Sequence, residues 1–399
     1  MIMYFIPDWD DRVDPGFDFI NEIYTPGRKP HFSDVYAHQI YEEPPYDGVL
    51  VSRAVIDKSP VKYEDILNSG SIKHHLRLSG KKFYPVLGDC GAFSYWKQEN
   101  PPYKSEEMLD YYQMLGFDYG VSIDHLIFAE LEKERERRWE ITLKNAEDFL
   151  RLHRSGKYTF TPIGVVQGWS PESYRRGARE LIKIGYDYIA IGGLVRSTTK
   201  DIIDILKSVQ EELRSDTRVH LFGVNRPKYI GLFMSLGVTS FDSASPLRRA
   251  WIDGEKNYFL GEDAYSAIRV PYSIYIARKF QYDEVKVQIY ERDALRSLRE
   301  YDKGLITIEQ VFGFIMTYLE LSGGISDRTK KEYWRTLEER PWKRCNCVIC
   351  REIGIEVIIF RGNNRNRRRG FHNTWQLYQF IRKFRDGQYP FSSLEFDFV

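Results

Sequence analysis

Eight short apolar runs, spaced so that a helix fits between most of them, constrain this 399-residue chain more than any other feature. They are MYFI (3–6), GVLVSRAVI (48–56), FYPVLG (83–88), YGVSI (119–123), PIGVVQ (162–167), YIAIGG (188–193), VHLFGV (219–224) and TSFD (239–242). The runs are continuous rather than alternating, which is the pattern of strands covered on both faces, as in a parallel sheet. The segments between them carry helix punctuation. In SPESYRRGARELIKIG, Ser170 reads as the N-cap, Pro171 as the first helical residue and Gly185 as the terminator. STTKDIIDILKSVQEEL and RPKYIGLFMSLG fill the next two crossovers. Strands and helices in this order predict an α/β fold, a (β/α)8 TIM barrel, with a doubly wound sheet as the alternative.

Polar residues fall at the ends of these runs. Asp89 follows the third and Asp124 the fourth, Gln167 ends the fifth, Gly192 and Gly193 end the sixth, and Asp242 ends the eighth. In a barrel, the C-terminal ends of the strands form the face on which active sites are built. A lone Asp after a strand is usually a turn former or a helix cap. Three carboxylates and a glutamine on one face point instead to a pocket. One carboxylate can attack an anomeric carbon while another moves protons. Carboxylates also suit magnesium. Residue types alone leave both chemistries open.

Three of the four cysteines lie in CNCVIC at 345–350, and His372 follows in FHNTW. Cys345, Cys347 and Cys350 are too close together to pair with one another, and such clustering argues against a disulfide framework. With His372 they make a tetrahedral Cys3His set for one zinc ion per chain. Four protein ligands leave no position for water, so the expected ion is structural.

A formal net charge of +1 is silent about nucleic acid, so local charge has to be read instead. RGNNRNRRRG (361–370) places Arg361, Arg365, Arg367, Arg368 and Arg369 just before His372. The expectation is a loop, stiffened by zinc, that holds phosphates. ELEKERERRWE (130–140) reads as an exposed helix face. The N-terminus MIMYFIPDWDD has no basic leader, and no run of about 18 apolar residues occurs, so a soluble cytoplasmic protein without a membrane partner is expected.

The strand-end motifs resemble those of the tRNA-guanine transglycosylase superfamily. DCGAFSY (89–95), GVVQGW (164–169), YIAIGGL (188–194), FDSASPLR (241–248) and the Cys-x-Cys-x2-Cys…His-Asn pattern occur in that family's order. The resemblance implies a zinc-bearing (β/α)8 barrel that exchanges guanine in nucleic acid for a 7-deazaguanine, with no ATP used in the exchange. Carried over by position, it makes Asp242 the nucleophile that attacks C1′ and holds a covalent glycosyl intermediate. Asp89 becomes the acid/base for the departing and incoming bases. Asp124 would grip the guanine-like edge, with Gln167, Gly192, Gly193 and Leu194 lining the pocket. A carboxylate suits the N1–H and exocyclic amine of guanine, and a backbone amide suits O6.

The departures also carry information. Cys90, Ala92 and Ser94 stand where the family usually has other residues. Arg248 and Arg249 lie in a different frame from the arginines with which tRNA enzymes read the anticodon loop. The long segment between Asp242 and Cys345 reads as two or more amphipathic helices. These features resemble the DNA-directed branch, the DNA-guanine transglycosylases of the DpdA type found in bacterial modification-and-defence clusters and some phages. That resemblance implies 7-cyano-7-deazaguanine (preQ0) or a derivative as the incoming base. It also implies double-stranded DNA with the target base flipped or locally melted, and an ATPase partner from the same cluster. Nucleic-acid contacts are expected from Arg248, Arg249 and the arginine run. The expected organisation is a barrel at residues 1–253, a helical, substrate-specific insertion at 254–340, and a zinc subdomain with a closing helix at 341–399. The alternatives are action on tRNA and a catalytically silent nucleic-acid-binding paralogue.

Overall fold

The structure, a computed structural model, describes residues 1–78, 80 and 84–387. Eight parallel strands close into a barrel: β1 (Met3–Pro7), β2 (Gly48–Ser52), β3 (Val86–Asp89), β4 (Tyr119–Val121), β5 (Thr161–Val166), β6 (Tyr188–Ile191), β7 (Arg218–Leu221) and β8 (Val238–Asp242). β8 returns to β1 with Met3 opposite Ser240 and Phe5 opposite Asp242. The expected (β/α)8 barrel is therefore the fold, and each of the eight apolar runs contributes a strand.

One run divides. The strand ends at Ser52, and Arg53–Ile56 is already helical, with Ala54 and Ile56 buried. A short apolar run does not by itself distinguish a buried strand from a buried helical turn. Phe83, the first residue of the expected third strand, and residues 388–399 of the expected closing helix lie outside the described residues.

The crossover helix Pro171–Ile184 starts and stops where its sequence predicts. Ser170 caps the Ser173 N–H, Pro171 opens the helix, and Gly185 ends it in the left-handed region at φ 105°. Inside the barrel, rings from several strands meet edge to face. Phe5 of β1 lies 6.2 Å from Tyr119 of β4, which in turn lies 5.7 Å from Tyr188 of β6. β1 and β4 are not neighbours, so the first of these contacts crosses the interior.

By packing, the chain forms two units. Among the described residues, the barrel unit comprises Met1–Trp9, Tyr46–Ala244 and 381–387, and the other comprises Asp10–Pro45 with Ser245–Phe380. The second unit is largely helical. Its long helices are Glu284–Asp302, Ile308–Leu321, Asp327–Glu339 and most of Gly362–Arg385, and the first two are the amphipathic helices read between Asp242 and Cys345. A cut at residue 254 does not reproduce this division, because 10–45 packs with the later segment.

The reason lies in the arginine run, and here the expectation of a phosphate-binding loop is corrected. Residues 362–369 form the first turns of a helix, and Arg361, Arg365, Arg368 and Arg369 are all buried. Arg361 donates to Glu22 at 2.7 Å and to Glu291 at 2.5 Å, while Arg365 donates to Glu22 at 2.5 Å and to Glu356 at 2.7 Å. Arg299 completes the network through Glu356 at 2.6 Å. Arg368 reaches the Asp14 carbonyl, and Arg369 reaches the Val357, Ile359 and Ala250 carbonyls. Only Arg367 retains substantial exposure, and it donates to the Arg12 carbonyl at 2.8 Å. These guanidiniums bind this chain's own carboxylates and carbonyls, which leaves them little capacity for phosphate. Burial alone would raise the Glu22 carboxyl, but Arg361 and Arg365 hold it below the usual range.

Removing one member strands buried charge, so Arg365→Met is expected to destabilise the protein by about 3–5 kcal/mol in urea unfolding. The exposed Arg249→Ala should stay within about 0.5 kcal/mol. Equal effects would show that burial of the run contributes nothing.

Candidate active site

The strands bring the predicted pocket residues to the C-terminal mouth of the barrel. Asp89 closes β3, Asp124 follows β4, Gln167 follows β5, Gly192, Gly193 and Leu194 follow β6, and Asp242 closes β8. Asp124 is the best-tied of them. Its Oδ2 accepts from Gln167 Nε2 at 2.6 Å and its Oδ1 from the Cys90 thiol at 3.1 Å. The Tyr95 hydroxyl bridges Cys90 Sγ and the Asp124 carbonyl, each at 3.1 Å. Burial, with Asp124 and Asp89 nearby, raises the Cys90 pKa well above its ordinary value and keeps it a thiol donor. Cys90 therefore fixes the carboxylate that faces the pocket. Sequence reading marked it only as a departure, because its partner is 34 residues away.

Gln167 turns its amide nitrogen to Asp124 and leaves Oε1 buried without a partner among the described residues. A Cβ on Gly192 would stand 2.2 Å from Gln167 Nε2, so only glycine lets the backbone approach here. Gly193 adopts φ 77° and caps the short turn Leu194–Arg196, in which Leu194 is buried. The Tyr174 hydroxyl holds the Gly192 carbonyl at 2.9 Å. These strand ends thus gather the Asp124 carboxylate and, among the described residues, an unpaired amide oxygen of Gln167 beside the glycine backbone at 192 and 193.

Asp89 differs from its neighbours in protonation. Burial, then the charge of Asp124, push its carboxyl up to about 7; the Gly91 N–H opposes this, Asp242 adds to it and the Ser52 hydroxyl opposes it. Its side chain is partly accessible at the mouth although protein surrounds its carboxyl. Asp124 is also raised by burial, opposed by its Cys90 and Gln167 donors. An acid that titrates near neutrality is the property needed to give and take a proton at pH 7.

The sign of the linkage follows. Asp89 holds its proton more tightly folded than at its ordinary 3.8, so its contribution is present below about pH 4 and lost as pH rises through 7. Asp89→Asn, neutral throughout, is expected to melt above wild type at pH 8, with the gap closing toward pH 4. Melting curves across that range check this; a gap independent of pH would contradict the assignment.

Asp242 is buried, and its Oδ1 accepts from the Gly223 N–H at 3.0 Å and lies 3.2 Å from His220 Nε2. Its Oδ2 has no hydrogen-bond partner among the described residues. His220 was missed in the sequence. The available signal was an imidazole inside the otherwise apolar strand run VHLFGV, where every other side chain is hydrophobic or glycine.

Arg248 and Arg249 lie on the helix Ser245–Ile252 of the second unit, half-buried and exposed respectively. That unit also holds the Cys3His cluster. Cys345, Cys347 and Cys350 Sγ lie 3.6, 3.4 and 3.4 Å from His372 Nδ1, and all four are buried. With metal–sulfur bonds of about 2.3 Å and metal–nitrogen bonds of about 2.0 Å, a tetrahedron has an S–N edge of about 3.5 Å. The spacing fits one ion. His372 Nε2 donates to the Phe259 carbonyl at 2.6 Å, which turns Nδ1 toward the thiolates, and Tyr258 stacks on the ring at 4.0 Å. The Gln376 amide and the Tyr258 hydroxyl approach Cys345 and Cys350 sulfur at 3.4 and 3.2 Å. No helix among the described residues is long and apolar enough to cross a membrane.

Residues 94–260 match the family model described as queuine tRNA-ribosyltransferase. A DNA-guanine transglycosylase of Salmonella montevideo is 41% identical over 403 residues, covering 94% of this chain and 96% of that protein. A tRNA-guanine(15) transglycosylase of Methanocaldococcus jannaschii is 28% identical over 166 residues, covering 40% of this chain and 25% of its own. A queuine tRNA-ribosyltransferase of Marinobacter nauticus is 35% identical over 139 residues, covering 34% and 37% respectively.

Proposed function

From the premise that the chain belongs to the tRNA-guanine transglycosylase superfamily, we propose that it is a pentosyltransferase that exchanges guanine in DNA for a 7-deazaguanine, preQ0 or a derivative, by double displacement. The observation that carries this reading is the pairing of two unlike carboxyls in one barrel mouth. Asp242 offers an unengaged oxygen, and Asp89 titrates at about 7. Asp242 Oδ2 attacks C1′, the C1′–N9 bond breaks with its electron pair going to the purine, and the Asp89 carboxyl protonates that purine. The incoming base then gives its N9 proton to Asp89 carboxylate, N9 attacks C1′, and the C1′–Oδ2 bond breaks. Proton and electron pairs balance, and the configuration is retained.

Asp124 accepts from the N1–H and exocyclic amine of the base, and the unpaired Gln167 Oε1 and the Gly193 and Leu194 backbone line the pocket. A duplex base must leave the stack to enter a barrel mouth. DNA is supported over tRNA by the near end-to-end match to a DNA-guanine transglycosylase, against short matches to tRNA enzymes. Zinc is the ion proposed for Cys345, Cys347, Cys350 and His372, since three thiolates and an imidazole suit it and a closed set makes it structural. Within the second packing unit, residues 254–340 are proposed as a substrate-specific insertion and the segment from 341 that carries Cys345–His372 as the zinc subdomain, and the cytoplasm as the working compartment.

Incubation of the protein with preQ0 and either plasmid or tRNA, followed by nucleoside mass spectrometry, tests the reading. Deazaguanosine in plasmid alone is expected. Incorporation into tRNA alone would replace the DNA assignment, and none in either would remove the enzyme assignment.

A further inference from the structure

His220 is buried in the barrel interior, flanked by Phe5 at 5.9 Å and Phe222 at 4.8 Å, with each ring nitrogen facing a different partner. Nε2 lies 3.2 Å from Asp242 Oδ1, and Nδ1 lies 2.8 Å from Ser240 Oγ. Ser240 Oγ is in turn 2.5 Å from the Tyr188 hydroxyl. Three strands thus contribute one chain of hydrogen bonds that ends on the carboxylate assigned as nucleophile.

One placement of hydrogens satisfies every donor in the chain. Tyr188 donates to Ser240, Ser240 donates to Nδ1, and Nε2–H donates to Asp242 Oδ1. A hydrogen on Nδ1 would have to enter Ser240 Oγ, and then either the Ser240 hydrogen or, if that turns to Tyr188, the Tyr188 hydrogen would be left buried without an acceptor among the described residues. A bare Nε2 would turn a lone pair on the Asp242 carboxylate.

We propose that His220, locked as the Nε2–H tautomer by Ser240 and Tyr188, is a positioning residue that reserves Asp242 Oδ2 for attack and stabilises the carboxylate when it departs from C1′. This rests on the double-displacement reading above. With Oδ1 engaged by His220 and the Gly223 N–H, the oxygen without a donor among the described residues is the one free to bond to carbon. In the glycosyl ester Oδ1 is a carbonyl oxygen and accepts weakly. As the C1′–Oδ2 bond breaks, charge returns to both oxygens, and the donors on Oδ1 strengthen. A donor at this position therefore favours the second displacement over the first.

The test compares His220→Leu, His220→Gln and Ser240→Ala with wild type in turnover, trapped covalent adduct, KM for the base and melting temperature. His220→Leu is expected to cut turnover by about 10²-fold, with KM unchanged and the adduct accumulating. His220→Gln, whose amide can still donate, should recover most of the loss. Equal loss in the Leu and Gln variants together with a matching fall in melting temperature would reduce His220 to packing, and unchanged turnover in His220→Leu would overturn the proposal outright. Nitrogen-15 spectra of histidine-labelled protein give a readout independent of activity. They should show the Nε2–H tautomer for His220, disturbed by Ser240→Ala, and the Nδ1–H tautomer would overturn the proposal. A wild type that exchanges no base, yet shows the expected tautomer, counts against the transglycosylase reading and leaves the hydrogen-bond chain standing.

Discussion

Asp242→Asn is expected to abolish base exchange, a loss on the order of 10⁴-fold or more, while the fold and metal content survive. Losing the proposed nucleophile should cost this much, because the remaining residues can only bind and orient. The amide is nearly isosteric and can still accept through Oδ1 from Gly223 and His220, so the barrel has little reason to rearrange. With wild type, a denaturation-stable adduct should map to the peptide containing SFDSASPLR, and none should form with Asp242→Asn. Asp89→Ala should still bind the base but stall, because no carboxyl titrating near 7 remains to receive or supply the purine proton. Mapping the adduct to Asp89 would exchange the two roles. Continued incorporation by Asp242→Asn would rule out the covalent mechanism for this protein.

The second large effect concerns the Cys3His cluster. Chelation, or Cys347→Ser, is expected to unfold the segment around Cys345–His372 at a temperature well below that of the intact protein. Zinc held by such ligand sets contributes roughly 10–16 kcal/mol of apparent binding free energy in small peptides, against a total stability of about 5–15 kcal/mol for a typical domain. Without the ion, three buried sulfurs and an imidazole crowd within 4.8 Å of one another with nothing to balance them. Cys347 Sγ also accepts from the Cys350 N–H at the start of the helix Val348–Ile353, so its loss removes a helix cap as well. Metal analysis should return about one zinc per chain. Calorimetry that shows Cys347→Ser melting with wild type, or protein carrying no zinc, would refute the structural role.

What could be read along the chain was whatever depends on near neighbours. Continuous β-branched runs give buried parallel strands because both faces of such a strand are covered, and each of the eight runs contributes one. Ser170, Pro171 and Gly185 mark a helix because caps and terminators act within a turn. CNCVIC with His372 converges because two- and three-residue steps return thiolates to one point. Strand ends locate Asp89, Asp124, Gln167 and Asp242 because barrel topology puts them at one mouth.

The rest depended on pairing across long separations. Arg361 and Arg365 meet Glu22 across 339 and 343 residues, so a run that reads locally as a basic loop becomes a buried ionic network. Charge along the chain reports the cations and not the carboxylates that will neutralise them. His220 and Asp242 face each other because β7 and β8 are adjacent with a register shift between Val219 and His220. Local periodicity counts His220 as one more residue of an apolar strand. The sequence alone determined the element types and the chemistry available at their ends. Tertiary structure decided which charges are buried and which nitrogen meets which oxygen, because these follow from burial and register, and both are properties of a packed unit rather than of any segment.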